Sequence, residues 1–161
     1  MRRIVSVALI LVIFSGLNAY ALETKMLETR DKIFEEAGAI QPLLQGSKDV
    51  VLMSSMYESC IVTKTQLDAY FFMVAIFNAV KGKDSIAKSG DYLMNWLSII
   101  KKTNDVNINS LSAIKTPLEP TTEIHIKKLN GYFAELNFRI GQELKKISEI
   151  KDALNTKGKA E

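Results

Sequence analysis

The sequence predicts an all-α fold: an elongated up-down antiparallel helical bundle of three long helices plus a shorter N-terminal one. Three observations predict it. Across 121–155 the apolar residues Ile126, Leu129, Phe133, Leu136, Ile140, Ile147, Ile150 and Leu154 recur at spacings that keep one helix face, close to a heptad seam. The Pro residues (Pro42, Pro117 and Pro120) all fall between periodic segments, which leaves long stretches free to stay helical. Lys81-Gly82-Lys83-Asp84 reads as a tight turn, and a connection that short makes its two helices antiparallel neighbours. A seam as long as that of 121–155 has to be covered, and the two preceding helices supply the surface.

The elements follow in order. Residues 1–21 have the three parts of a secretory leader: basic Arg2 and Arg3, an apolar run over 4–14 broken only by Ser6, and Ala19-Tyr20-Ala21 as a cleavage signal. The mature chain is then expected to start at Leu22, as one domain over 22–155 with a polar tail at 156–161. The leader's apolar core is short for a membrane span, which needs about 20 residues. Residues 22–37 read as the first helix, with Leu22, Met26, Leu27, Arg30, Ile33, Phe34 and Ala37 on one face, Glu35 and Glu36 on the other, and Gly38 as its stop. Residues 39–46 form a connection whose Ile40, Leu43 and Leu44 pack across a bundle end.

Ser47 is the expected cap of a second helix reaching about Lys81. Its seam reads Val50, Met53, Tyr57, Cys60 or Ile61, Lys64, Leu67, Phe71, Val74 and Asn78. From 69 to 80 it is apolar nearly all round, which suits a central core helix, with Tyr70 or Phe72 left over for an exposed patch. That run is short for a transmembrane span. The third helix is expected over about 85–103, with Ile86, Tyr92 or Leu93, Trp96 or Leu97, and Ile100 facing inward. Gly90 inside it suggests a close helix approach. Asn104, Asn107 and Asn109 favour local side-chain to backbone bonds, so 104–110 reads as a break, a kink or a loop. The last helix starts between 117 and 121, either from a capping box at Thr116 or from Glu119 with Pro120 as its first residue. Gly131 and Gly141 within it have room for a bulky neighbour. Glu143 falls on its seam, where regular packing should slip.

Composition narrows the function. The chain has 161 residues, enough for one domain. Without the leader it carries 19 basic and 18 acidic side chains, a charge of +1 that gives no electrostatic case for nucleic acid. Cys60 is the only cysteine, so no internal disulfide forms; in its apolar context it reads as a small buried hydrophobe.

The motifs that carry chemistry are missing. His125 is the only histidine, without the H-E-x-x-H spacing of a zinc site or the Glu-x-x-His pair of a di-iron bundle, and it reads as a surface or boundary residue. Cys60 with His125 lacks a local nucleophile signature. No C-x-x-C-H, G-x-S-x-G or phosphate-cradling Gly loop occurs. Lys64 with Asp68, and Arg139 with Glu143, read as i,i+4 ion pairs.

The expectation is a non-enzymatic, exported helical bundle, in the bacterial periplasm or outside the cell. It carries no catalytic residue, no cofactor and no metal, and it acts by protein–protein interaction. Tyr70, Phe72 and Trp96 are the candidate contact residues. The partner is another protein or a second copy of the chain, not a nucleic acid, and membrane contact requires an uncleaved leader. The alternative is a binder of a small apolar ligand or lipid, in a pocket between helices lined by Tyr57, Phe71, Met94 and Trp96.

Overall fold

The computed structural model describes residues 23–79 and 83–157. The expected leader and the expected turn at Lys81-Gly82 lie outside them. The described residues form an all-α bundle: α1 over 23–40, a 3-10 turn at Gln41–Gln45, α2 over Val50–Asn78, α3 over Lys83–Ser112 and α4 over Pro120–Lys157.

Interhelical bonds fix the topology. Arg30 on α1 meets Asp68 on α2, and Glu36 on α1 meets His125 on α4. Thr63 on α2 meets Asn104 on α3, and closer to the C-terminus of α2 the Gln66 carbonyl meets Trp96. Asn104 meets Asn137 on α4, while Asp91 meets Lys151. Lys64 of α2 also lies over the Phe34 ring of α1, and Lys32 of α1 reaches Glu135 of α4. Between contacting helices residue numbers therefore rise on one as they fall on the other, and these contacts run antiparallel.

The core is one continuous cluster. From α4 it takes Leu129, Phe133, Leu136, Ile140 and Ile147, the heptad seam of the sequence. Ile126 is half-buried and Ile150 is exposed at the bundle end. From α1 come Met26, Ile33, Ala37 and Ile40, with Thr29 and Glu36 buried among them. Glu36 therefore lies on the inner face and not the outer one. Gly38 does not stop α1. The helix runs two residues further, and that extra half-turn delivers Ile40 to the core.

On α2 the buried residues are Met53, Met56, Cys60, Thr63, Leu67 and Tyr70. The helix is turned by about one position from the seam expected over Tyr57, Lys64, Phe71 and Val74, all of which are half-buried. Apolar residues surround α2 almost evenly, so periodicity does not select a face. Burial of Thr63 with exposure of Val62 was not legible from hydrophobicity.

α3 is unbroken through Ser112, and residues 104–110 are helical. The asparagines do not turn to their own backbone. Asn104 is fully buried and Asn107 half-buried, and their side chains bond to α2 and α4. α4 begins at Pro120, which settles the start in favour of Glu119-Pro120 over the Thr116 box.

The predicted Ser47 cap becomes a clasp between two loops. The Ser47 hydroxyl donates to Glu119 Oε2 (2.6 Å) and accepts the Asp49 N–H (3.0 Å). The Glu119 N–H donates in return to Asp49 Oδ2 (2.8 Å). The starts of α2 and α4 are thereby held side by side.

Candidate functional site

Three places in the bundle depart from plain apolar packing: a buried polar chain at mid-bundle, a buried Glu36–His125 contact between α1 and α4, and an open cavity at the end where α1 begins. In the polar chain the Thr63 hydroxyl donates to Asn104 Oδ1 (3.2 Å). Asn104 Nδ2 donates to Asn137 Oδ1 (3.2 Å), and Asn137 Nδ2 to Asp105 Oδ1 (2.7 Å). Lys101 closes the chain at the surface on Asp105 Oδ2 (3.0 Å). Three helices contribute to it, so it is satisfied in one register only, as a polar residue at a coiled-coil core position is.

A short hydrogen-bond contact joins His125 Nδ1 to Glu36 Oε1 at 2.5 Å, with both side chains more than nine-tenths buried; Lys128 Nζ reaches Glu36 Oε2 at 3.3 Å. His125 is thus an interior residue and not the surface residue its sequence context suggested. Cys60 is buried as expected, and burial together with the nearby Glu36 charge pushes its thiol up to about 12. A neutral, inaccessible thiol is a poor nucleophile. Among the described residues no group of His, Cys, Asp and Glu side chains is arranged to hold a metal ion.

The cavity, of about 400 Å³, opens between the start of α1, the end of α2, the first turns of α3 and the last turns of α4. Met26, Phe71, Val74, Phe77, Leu93 and Ile147 supply its apolar wall. Glu143 sits on the α4 seam where an apolar residue would otherwise stand. It accepts the Tyr70 hydroxyl at 3.3 Å and Lys146 at 3.4 Å, and forms no bond with Arg139, which pairs with Glu135 instead. Burial and the Glu143 charge raise the Tyr70 phenol, so it stays a donor. Gly90 is buried against the Lys151 stem and Ile147, and a Cβ there would lie 3.2 Å from Lys151 Cδ, the close approach its sequence position suggested. Gly131 and Gly141 face open space and admit no neighbour. Of the four residues expected to line a pocket, only Phe71 does; Tyr57, Met94 and Trp96 are packed on the core outside this cavity.

The three candidate contact residues separate. Tyr70 is 2% exposed and lies in the core, so it does not belong to a surface patch. Phe72 is 67% exposed. Trp96 is half-buried, its indole N–H donating to the Gln66 carbonyl (3.0 Å), which lays that face of α3 against α2. Tyr92, one turn earlier, stands edge-on to Phe77. Along this α2–α3 flank Val62 and Ile76 of α2, and Tyr92 and Ile99 of α3, are exposed, and Phe72, one turn after the α1-paired Asp68, continues the apolar surface around the outer face of α2. Sequence reasoning missed Val62, Ile76, Tyr92 and Ile99; the signal that could have found them was the apolar girdle of α2, too apolar on all sides for one core. Among the described residues α2 is the one helix long and apolar enough, by length and composition, to cross a membrane, although its uncharged run alone is short.

No protein-family model, no curated protein and no solved structure matches the chain.

Proposed function

We propose that the chain is an exported, non-enzymatic helical-bundle protein that works by packing the α2–α3 flank against a helix of a partner protein. The observation that carries this reading is the flank itself. Val62 and Ile76 of α2 and Tyr92 and Ile99 of α3 are exposed on faces that adjoin, and Phe72 extends the exposed apolar side chains around the outer face of α2. Exposed large apolar side chains gathered on neighbouring helix faces are what an interaction site presents. Helices recognise one another through apolar anchors at i, i+3, i+4 and i+7, and Phe72 with Ile76 on α2, and Tyr92 with Ile99 on α3, have that spacing. Export rests on the basic, apolar and A-x-A parts of residues 1–21.

Light scattering with dye binding on the purified mature chain tests the reading. The expected result is self-association, or a monomer that binds, at the flank, an apolar dye too bulky for the interhelical cavity and loses it on Phe72→Ser with Ile76→Ser. A monomer that binds no dye at the flank overturns it. N-terminal sequencing of the exported protein tests the compartment: a start at Leu22 supports export with cleavage, and an intact Met1 contradicts it.

A further inference from the structure

We propose that the cavity at the α1-start end of the bundle is a binding site for a small apolar molecule carrying one cationic group, such as a long-chain amine, with the charge at Glu143. Its volume of about 400 Å³ lies within the range of small-molecule sites, and its make-up is theirs too: a mainly apolar wall with a few polar groups converging at one point.

The chemistry of the head group follows from Glu143. Its side chain is 13% exposed, on the cavity wall, at a seam position of α4. Charge-assisted bonds run at roughly 2.7–2.9 Å, whereas Glu143 is 3.3 Å from the Tyr70 hydroxyl and 3.4 Å from Lys146. A carboxylate accepts about four hydrogen bonds, so it has acceptor capacity left for a third donor. Glu23 lines the same mouth, and Lys151, the second lysine there, is already paired with Asp91. The local balance therefore favours a cation over an anion. Tyr70, Phe71 and Phe77 add aromatic rings, which attract cations. Gly90 keeps the α3 side of the wall free of a side chain.

The test uses the mature chain with N-phenyl-1-naphthylamine as a fluorescent reporter, displaced by decylamine, decanol or decanoate below their micelle thresholds. The reporter should bind, and decylamine should compete about tenfold better than decanoate, the difference expected for one charge-assisted hydrogen bond in a half-enclosed site. Glu143→Gln should keep the reporter and bring decylamine to within about twofold of decanol. Val74→Trp should fill the cavity and abolish reporter binding; if that variant does not fold, Ile150→Trp at the rim serves the same purpose. Absence of reporter binding, retention of binding in the filled variant, or decanoate competing as well as decylamine overturns the proposal. Phe72→Ser on the outer flank should leave reporter binding unchanged, and loss of binding there would place the reporter on the flank and contradict the cavity site.

Discussion

Replacing Asn104 by Ala tests whether the mid-bundle polar chain holds the register. Asn104 is fully buried and serves both neighbours, accepting from Thr63 and donating to Asn137. Its removal leaves two buried groups short of a partner, at about 1–3 kcal/mol each. Thr63 recovers part of this by turning its hydroxyl to the carbonyl one turn back, as helical Thr does. The expected loss is about 2–4 kcal/mol. For a domain of this size each kcal/mol lowers Tm by roughly 3–5 °C, so a fall of about 6–20 °C is expected. The assay is urea and thermal unfolding followed by helical circular dichroism and Trp96 fluorescence. The triple variant Thr63→Val, Asn104→Leu, Asn137→Leu is the discriminating companion. It removes every buried member, while Asp105 and Lys101, 49% and 41% exposed, become hydrated. Its stability should lie within about 1 kcal/mol of the parent, or above it. Its amide NMR spectrum should broaden, because apolar seams tolerate more than one register. An Asn104→Ala cost under about 0.5 kcal/mol would refute the reasoning, and so would a triple variant as destabilised as the single one.

Other outcomes follow from the same contacts. Cys60 should resist iodoacetamide at pH 8 in the native protein and react on unfolding. Because its folded pKa is raised to about 12 from an ordinary 9.0, the unfolded state releases this proton first, and stability should fall as pH rises through that window, less so in Cys60→Ala. Asp68 runs the other way: burial works against its charge, but Lys64 and Arg30 outweigh it and hold the carboxyl below its ordinary 3.8. Its contribution should be present above that pH and vanish as pH falls below it, so the Tm gap between parent and Asp68→Asn should close in acid. Glu119→Ala opens the clasp between the α2 and α4 starts and should cost about 1–2 kcal/mol in urea unfolding. Glu36→Ala leaves the buried His125 Nδ1 without its partner and should cost about 1–3 kcal/mol, measured the same way.

Legibility in the sequence followed amphipathic contrast. The middle of the α4 seam was readable, because Leu129, Phe133, Leu136 and Ile140 recur on one face with mostly polar residues between them, while Ile126 is half-buried and Ile150 exposed toward the ends. Glu143 was visible as the slip in that seam, though not as the acceptor of the Tyr70 hydroxyl. The face of α2 was unreadable, because a helix apolar on all sides carries no phase. The α3 asparagines were misread because local bonding and interhelical bonding use the same amide; only the presence of Thr63 and Asn137 across the core decides between them. Glu36 and His125 lie 89 positions apart, and each looks like an ordinary surface residue until α1 and α4 are brought together.

Site-specific photo-crosslinking in the living cell is the sharpest test of the proposed partner interface. A benzophenone side chain would be placed at position 72 or 99 on the α2–α3 flank, and at position 127 or 145 on the exposed side of α4. A discrete adduct of one mass is expected from positions 72 and 99 and none from positions 127 and 145. Adducts of equal yield from both faces, or none from positions 72 and 99, would contradict the proposed interface.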